Sequence, residues 1–115
     1  MKHTMTERRL IPQLSGSLPL SEWKQLPIIE AVYIFYDEDA VYYVGRSYCI
    51  RSRVQQHRGR SKFCTDEFVN RATVGWLVVD EPIHNIALRE RELIFQLQPL
   101  FNCAKDKKFK PWNTL

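Results

Sequence analysis

Ile28-Ile29-Glu30-Ala31-Val32-Tyr33-Ile34-Phe35-Tyr36 leads into Asp37-Glu38-Asp39 and then into Ala40-Val41-Tyr42-Tyr43-Val44-Gly45. Two runs rich in β-branched and aromatic residues, interrupted by three acids, read as a β-hairpin with a short acidic turn. Alternation at period two puts Ala31, Tyr33 and Phe35 on one face of the first strand. The same rule puts Val41, Tyr43 and Gly45 on one face of its partner.

Downstream the period changes. Ser47 offers an N-cap for a helix running to about Arg58, with Gly59 ending it. Ile50 and Val54 form its apolar stripe, and Arg53 and His57 stand beside that stripe as an i,i+4 pair. Residues 65–70 read as a short second helix, and residues 72–79 as a third strand ended by Asp80-Glu81-Pro82. The last helix spans about 83–97 and stops before Pro99. Its apolar face is Ile83, Ile86, Ala87, Leu93, Ile94 and Leu97, and Glu90 projects from the middle of it. A carboxylate aimed into an apolar face is costly unless something pairs with it or coordinates it.

The expected fold class is therefore α+β: a three-stranded antiparallel sheet flanked by helices, in the order β-β-α-(α)-β-α. Residues 1–27 read as an N-terminal arm, punctuated by Pro12, Pro19 and Pro27, with Ser15-Gly16-Ser17 as linker and Ser21 capping one helical turn. Residues 28–104 form the single domain, and 105–115 a basic C-terminal tail.

With 115 residues, 44% of them hydrophobic and 26% charged, the chain has material for one core. No apolar run is long enough to span a bilayer and no secretory h-region follows the charged start, so a cytoplasmic location is expected. The three cysteines, Cys49, Cys64 and Cys103, are an odd number without CxxC spacing, which argues against structural zinc and for reduced thiols. The net charge of +4 is compatible with a phosphate-rich partner. Arg46, Arg51, Arg53, Arg58, Arg60 and Lys62 fall within seventeen positions that contain no acid. A second cluster of Lys105, Lys107, Lys108 and Lys110 is read as a solvated face.

Taken singly, Tyr33 and Tyr43 read as core tyrosines, His57 as a half-buried helix residue, Arg53 as a surface cation and Glu90 as a salt-bridge partner. Their joint spacing says more. Ala31-Val32-Tyr33, followed after nine residues by Tyr43-Val44-Gly45, resembles the paired signature of the GIY-YIG nuclease superfamily. Gly45-Arg46-Ser47, Ile50, Arg53-Val54 and His57 continue that pattern in register. Ala87-Leu88-Arg89-Glu90, Leu93-Ile94, Pro99 and Phe101-Asn102 resemble the helix carrying the family's metal-binding glutamate and the asparagine beyond it. The resemblance covers about two-thirds of the chain, roughly residues 28–104. Ala31 replaces the first glycine of the first triad, and the gap between triads is about one residue shorter than the family's.

The resemblance implies a metal-dependent endonuclease that hydrolyses DNA phosphodiester bonds and leaves a 3′-hydroxyl and a 5′-phosphate. Glu90 would hold one Mg²⁺ or Mn²⁺, hard cations suited to oxygen ligands. Arg53 would grip nonbridging oxygens as charge grows on phosphorus. Tyr33 would orient or deprotonate the attacking water, its phenol pKa lowered by nearby cations, with His57 as proton relay and Tyr43 holding the water or phosphate. Gly45, Ser47 and Asn102 would support the site, and Arg46, Arg51, Arg58, Arg60 and Lys62 would meet the DNA backbone. Substrate choice would follow DNA structure or loose sequence preference, in DNA repair, mobile-element biology or defence. One active site nicks one strand at a time, so clean double-strand breaks would imply a homodimer. The alternatives are a catalytically silent DNA-binding module of the same fold and, behind it, a protein-interaction domain.

Overall fold

The computed structural model describes residues 10–79 and 85–108. Its elements run β1 (Gly16–Pro19), a 3-10 helix (Leu20–Gln25), β2 (Ala31–Tyr36), β3 (Val41–Ser47), α1 (Ile50–Arg60), α2 (Asp66–Arg71), β4 (Thr73–Leu77), α3 (Ile86–Leu97) and a last 3-10 turn (Asp106–Lys108). The sheet is antiparallel with the order β1-β4-β2-β3. The α+β class is as expected, but the sheet has four strands, not three. The additional strand, β1, comes from the stretch read as an N-terminal arm. It is a four-residue edge strand ending in proline, a position where the missing N–H costs no ladder bond. Its Gly16 pairs with Trp76, whose ring occupies the space where a Cβ would stand. That packing is invisible to a residue-by-residue scan.

The sheet buries both faces, so its central strand reads as continuously apolar rather than alternating: all of Ala31–Phe35 is buried. Ala31, Tyr33 and Phe35 face a core shared with Leu20, Leu26, Ile50, Val54, Phe68 and Val69. Val32 and Ile34 face Val44, Leu93, Ile94 and Leu97 on the other side. Thus α1 and α2 cover one face and α3 the other.

Val41 packs with the α3 side, not with Tyr43 and Gly45 as alternation implied. The ladder shifts register between Phe35 and Tyr36, so Tyr36 faces Val41 while Phe35 faces Tyr43. One extra residue, Tyr42, inverts the faces before it, as a bulge does. Helix α1 also differs from expectation. Ser47 is the last residue of β3, and Cys49 is the N-cap without a side-chain cap bond. The Ser47 hydroxyl instead accepts from the Cys49 N–H (3.1 Å) and donates to the Cys49 carbonyl (2.9 Å), closing the step from strand to helix. Gly59 does not end the helix, which continues through it to Arg60. Helix α3 begins at Ile86, capped by Asn85, whose side chain accepts from the Ala87 N–H at 2.7 Å. Ile83, expected on its apolar face, lies outside the described residues. No helix among the described residues is long and apolar enough to cross a membrane.

Strand β3 is an edge, and edges invite adventitious pairing. Here the chain after α3 covers it. The N–H groups of Leu100 and Phe101 donate to the carbonyls of Val41 (3.2 Å) and Tyr42 (2.8 Å). Asn102 completes the cover: its amide accepts from the Val44 N–H and donates to the Val44 carbonyl, both at 3.0 Å.

Candidate active site

The β2–β3 register places Tyr33 opposite Gly45 and Phe35 opposite Tyr43. Tyr33 is fully buried, so its hydroxyl needs a partner inside the protein. Gly45 supplies the room. A Cβ there would stand 2.5 Å from the Tyr33 hydroxyl and 2.6 Å from its Cζ. His57, one turn beyond Arg53 on α1, supplies the partner: its Nε2 lies 2.8 Å from the Tyr33 hydroxyl. On the other side of the imidazole, Nδ1 lies 2.6 Å from the Ser61 hydroxyl. Rings enclose His57, with centroids at 5.0 Å (Tyr43), 5.3 Å (Phe35) and 5.8 Å (Phe63).

This apolar cage sets the protonation states. Burial, and after it the Arg53 cation, lowers the His57 pKa to about 4, so the ring is neutral near pH 7. The Tyr33 phenol is pushed well above its ordinary range, first by burial and then by Tyr43, while Arg53 pulls the other way. The expectation that cations lower this phenol's pKa is overturned, because desolvation outweighs one guanidinium. Tyr43 is raised too, by burial and then by Glu90 and Asp106.

Glu90 approaches from the opposite helical layer. It shares an open cleft of about 350 Å³ with Tyr43, Ile94, Asn102, Lys105 and Asp106. Its side chain is only 19% exposed and burial raises its pKa, opposed by Arg46 and Arg53. Arg46 Nε donates to its carboxylate at 3.2 Å, so the charge in the apolar stripe is paired with β3 rather than left alone. The structure brings only part of the expected set into one cleft: Tyr43 and Glu90 share it, Arg53 lines a smaller pocket, and Tyr33 and His57 line neither but lie buried against the Tyr43 ring.

The expected backbone-contacting cations are dispersed. Arg46 is held by Glu90, Arg51 Nε donates to the Leu26 carbonyl at 2.7 Å, and Arg58 pairs with Asp66 at 3.1 Å. Arg60 and Lys62 are exposed at the end of α1 and just beyond it. Sequence reading found no sign of Asp106 and put Lys105 and Lys108 on a solvated face, yet all three line the Glu90 cleft. The 3-10 turn carrying Asp106 and Lys108 folds back on α3, and the available signal was only their nearness to Asn102. It also missed Phe63, which stacks on Phe101 at 4.7 Å and closes the His57 cage.

Among the described residues no group of three or more His, Cys, Asp or Glu could enclose a metal ion. One half-buried carboxylate in an open polar cleft nevertheless fits Mg²⁺ or Mn²⁺, since such ions keep several waters and take the rest of their oxygens from substrate phosphate. A family model described as a UvrC-like GIY-YIG domain matches residues 30–103. None of the curated proteins compared with the chain matches it.

Proposed function

Because this chain belongs to the UvrC-like GIY-YIG family, a branch of the GIY-YIG nuclease superfamily, we propose that it is a metal-dependent DNA endonuclease working at the cleft that Tyr43 and Glu90 share. The observation that supports the reading is the half-buried Glu90 carboxylate sharing an open cleft with Tyr43, whose ring packs on the buried, hydrogen-bonded Tyr33–His57 pair.

In this reading a water attacks phosphorus. Tyr33 is fully buried, so the water meets Tyr43 at the cleft wall. The Tyr43 oxygen takes one of its protons, the Tyr43 proton passes to the adjoining Tyr33 oxygen, and the Tyr33 proton to His57 Nε2, which as a neutral imidazole nitrogen can accept it. In the tautomer whose Nδ1–H donates to the Ser61 hydroxyl, Nε2 is open to accept that proton. A ring with a pKa near 4 does not keep a second proton, so the one on Nδ1 leaves through the partly exposed Ser61 hydroxyl to solvent. Arg53 grips the nonbridging oxygens, its attraction growing with their charge. Tyr43 orients the water or the phosphate from the cleft wall. Glu90 is the residue that would hold Mg²⁺ or Mn²⁺, and Arg46 would be released to the DNA backbone as it does so. When bound, the ion supplies Lewis acidity toward the phosphate and charge for the departing 3′-oxygen. Asn102 keeps β3 in register beneath the site. The substrate would be intracellular DNA, and a double-strand break would need two copies of the chain.

The test is cleavage of supercoiled plasmid with Mg²⁺ or Mn²⁺ by the native protein and by Glu90→Ala. Cleavage by the native protein alone is expected. Cleavage surviving the substitution would refute the metal ligand, and DNA binding without cleavage by either protein would favour the silent DNA-binding module.

A further inference from the structure

Tyr48 stands between β3 and α1 with 83% of its surface exposed, the most open of the large hydrophobic residues described. Isolated exposed apolar residues are ordinary, so exposure alone means little. Its surroundings mean more. Tyr48 lines a second, smaller pocket of about 110 Å³ together with Glu30, Arg46, Ser47, Arg53 and Ile86. Arg53 puts a guanidinium on that lining beside Arg46, whose own charge is balanced by Glu90. Arg46 also pairs with Glu90 in the larger cleft, so the two pockets meet at the Arg46–Glu90 contact. The Tyr48 ring makes no ring contact and its hydroxyl no hydrogen bond among the described residues.

We propose that Tyr48 and this pocket form a stacking site for one unpaired base of single-stranded DNA, next to the phosphate held by Arg53. An accessible aromatic ring flanked by cations that track a phosphate backbone is how single strands are bound without a sequence code. A base inside a duplex is already stacked on both sides and cannot reach such a ring without leaving its neighbours. The pocket therefore selects single-stranded, frayed or mismatched DNA over intact duplex. Arg53 lines the pocket and also acts on Tyr33, so the stacked base would adjoin the reacting phosphate. That last placement rests on the nuclease reading; the stacking site itself does not.

The experiment measures equilibrium binding of fluorescein-labelled single-stranded and duplex oligonucleotides in EDTA, where no cleavage intervenes. It uses the full chain in native, Tyr48→Ala and Tyr48→Phe forms, followed by cleavage of the same oligonucleotides with Mg²⁺. With its ring in solvent, Tyr48 can be replaced without disturbing the core. Tyr48→Ala is expected to bind the single strand roughly 5- to 150-fold more weakly, the range of one lost base–aromatic stack. Tyr48→Phe keeps a ring and should stay within about twofold of native, and duplex affinity should be unchanged in both variants. Equal single-strand affinity in all three proteins overturns the proposal, as does an equal loss for duplex and single strand. A ring-dependent single-strand affinity in a protein that cleaves nothing would uphold the stacking site and remove the nuclease reading. Cleavage indifferent to position 48, with affinity also indifferent, would do the reverse.

Discussion

Replacing Gly45 by alanine adds one methyl group, and the structure gives its consequence a magnitude. The new Cβ would stand 2.5 Å from the Tyr33 hydroxyl, 2.6 Å from Cζ and 2.9 Å from Tyr43 Cε2. Reaching an ordinary contact of 3.4 Å requires the Tyr33 hydroxyl to withdraw by about 0.9 Å. The ring cannot swing away freely, because Tyr33 has no exposed surface and Phe35, His57 and Tyr43 stand at 5.5, 5.7 and 6.1 Å. Overpacking of this kind costs about 1–3 kcal/mol. Stretching the 2.8 Å bond to His57 adds roughly another 1 kcal/mol. At roughly 4 °C per kcal/mol for a chain of this size, the melting temperature should fall by about 8–16 °C. Cleavage should drop further, by about a hundredfold, since a displacement near 1 Å breaks the proton path between Tyr43, Tyr33 and His57. Gly59→Ala is the internal control. Nothing lies within 4 Å of its Cβ position and it sits inside α1, so the same change should stabilise by about 0.5–1 kcal/mol. Calorimetric melting and a gel cleavage assay on both variants decide the matter. A Gly45→Ala protein melting within about 2 °C of native and cutting at the native rate would refute the reasoning.

His57 predicts a pH dependence. Its folded pKa of about 4 lies below the ordinary 6.5, so unfolding takes up a proton, and its stabilising contribution, complete above 6.5, is lost as pH falls toward 4. Urea unfolding from pH 7.5 to 4 should show native losing up to about 3 kcal/mol more than His57→Gln; parallel losses would contradict the assignment. Glu90→Gln breaks a surface-edge ion pair worth about 0–1 kcal/mol and should melt near native while abolishing cleavage; a large fall in melting temperature would mean Glu90 serves the fold instead. Asn102→Ala removes two bonds to the buried Val44 backbone and should cost about 2–3 kcal/mol in urea unfolding, with an unchanged midpoint counting against the strap. Arg53→Ala should lower turnover far more than DNA affinity, and equal losses in both would count against its role at the reacting phosphate.

Local signals carried much of this protein. Runs of β-branched and aromatic residues marked the hairpin, a 3.6-residue period marked the helices, and the spacing of Tyr33, Tyr43, Arg53, His57 and Glu90 marked the family. What escaped was set by pairing between distant residues. Strand β1 exists because Gly16 fits beneath Trp76, sixty positions away, and no window around a Ser-Gly-Ser linker contains that fact. Val41 changed faces because Tyr42 is bulged, a property of the ladder and not of either strand. The partner of Glu90 proved to be Arg46 across the β3–α3 interface, and the proton affinities of Tyr33 and His57 followed from an apolar cage that only packing assembles. Residue types and spacing are written along the chain, whereas desolvation and long-range pairing arise when the layers close, so the chemistry's participants could be read early and their charge states could not.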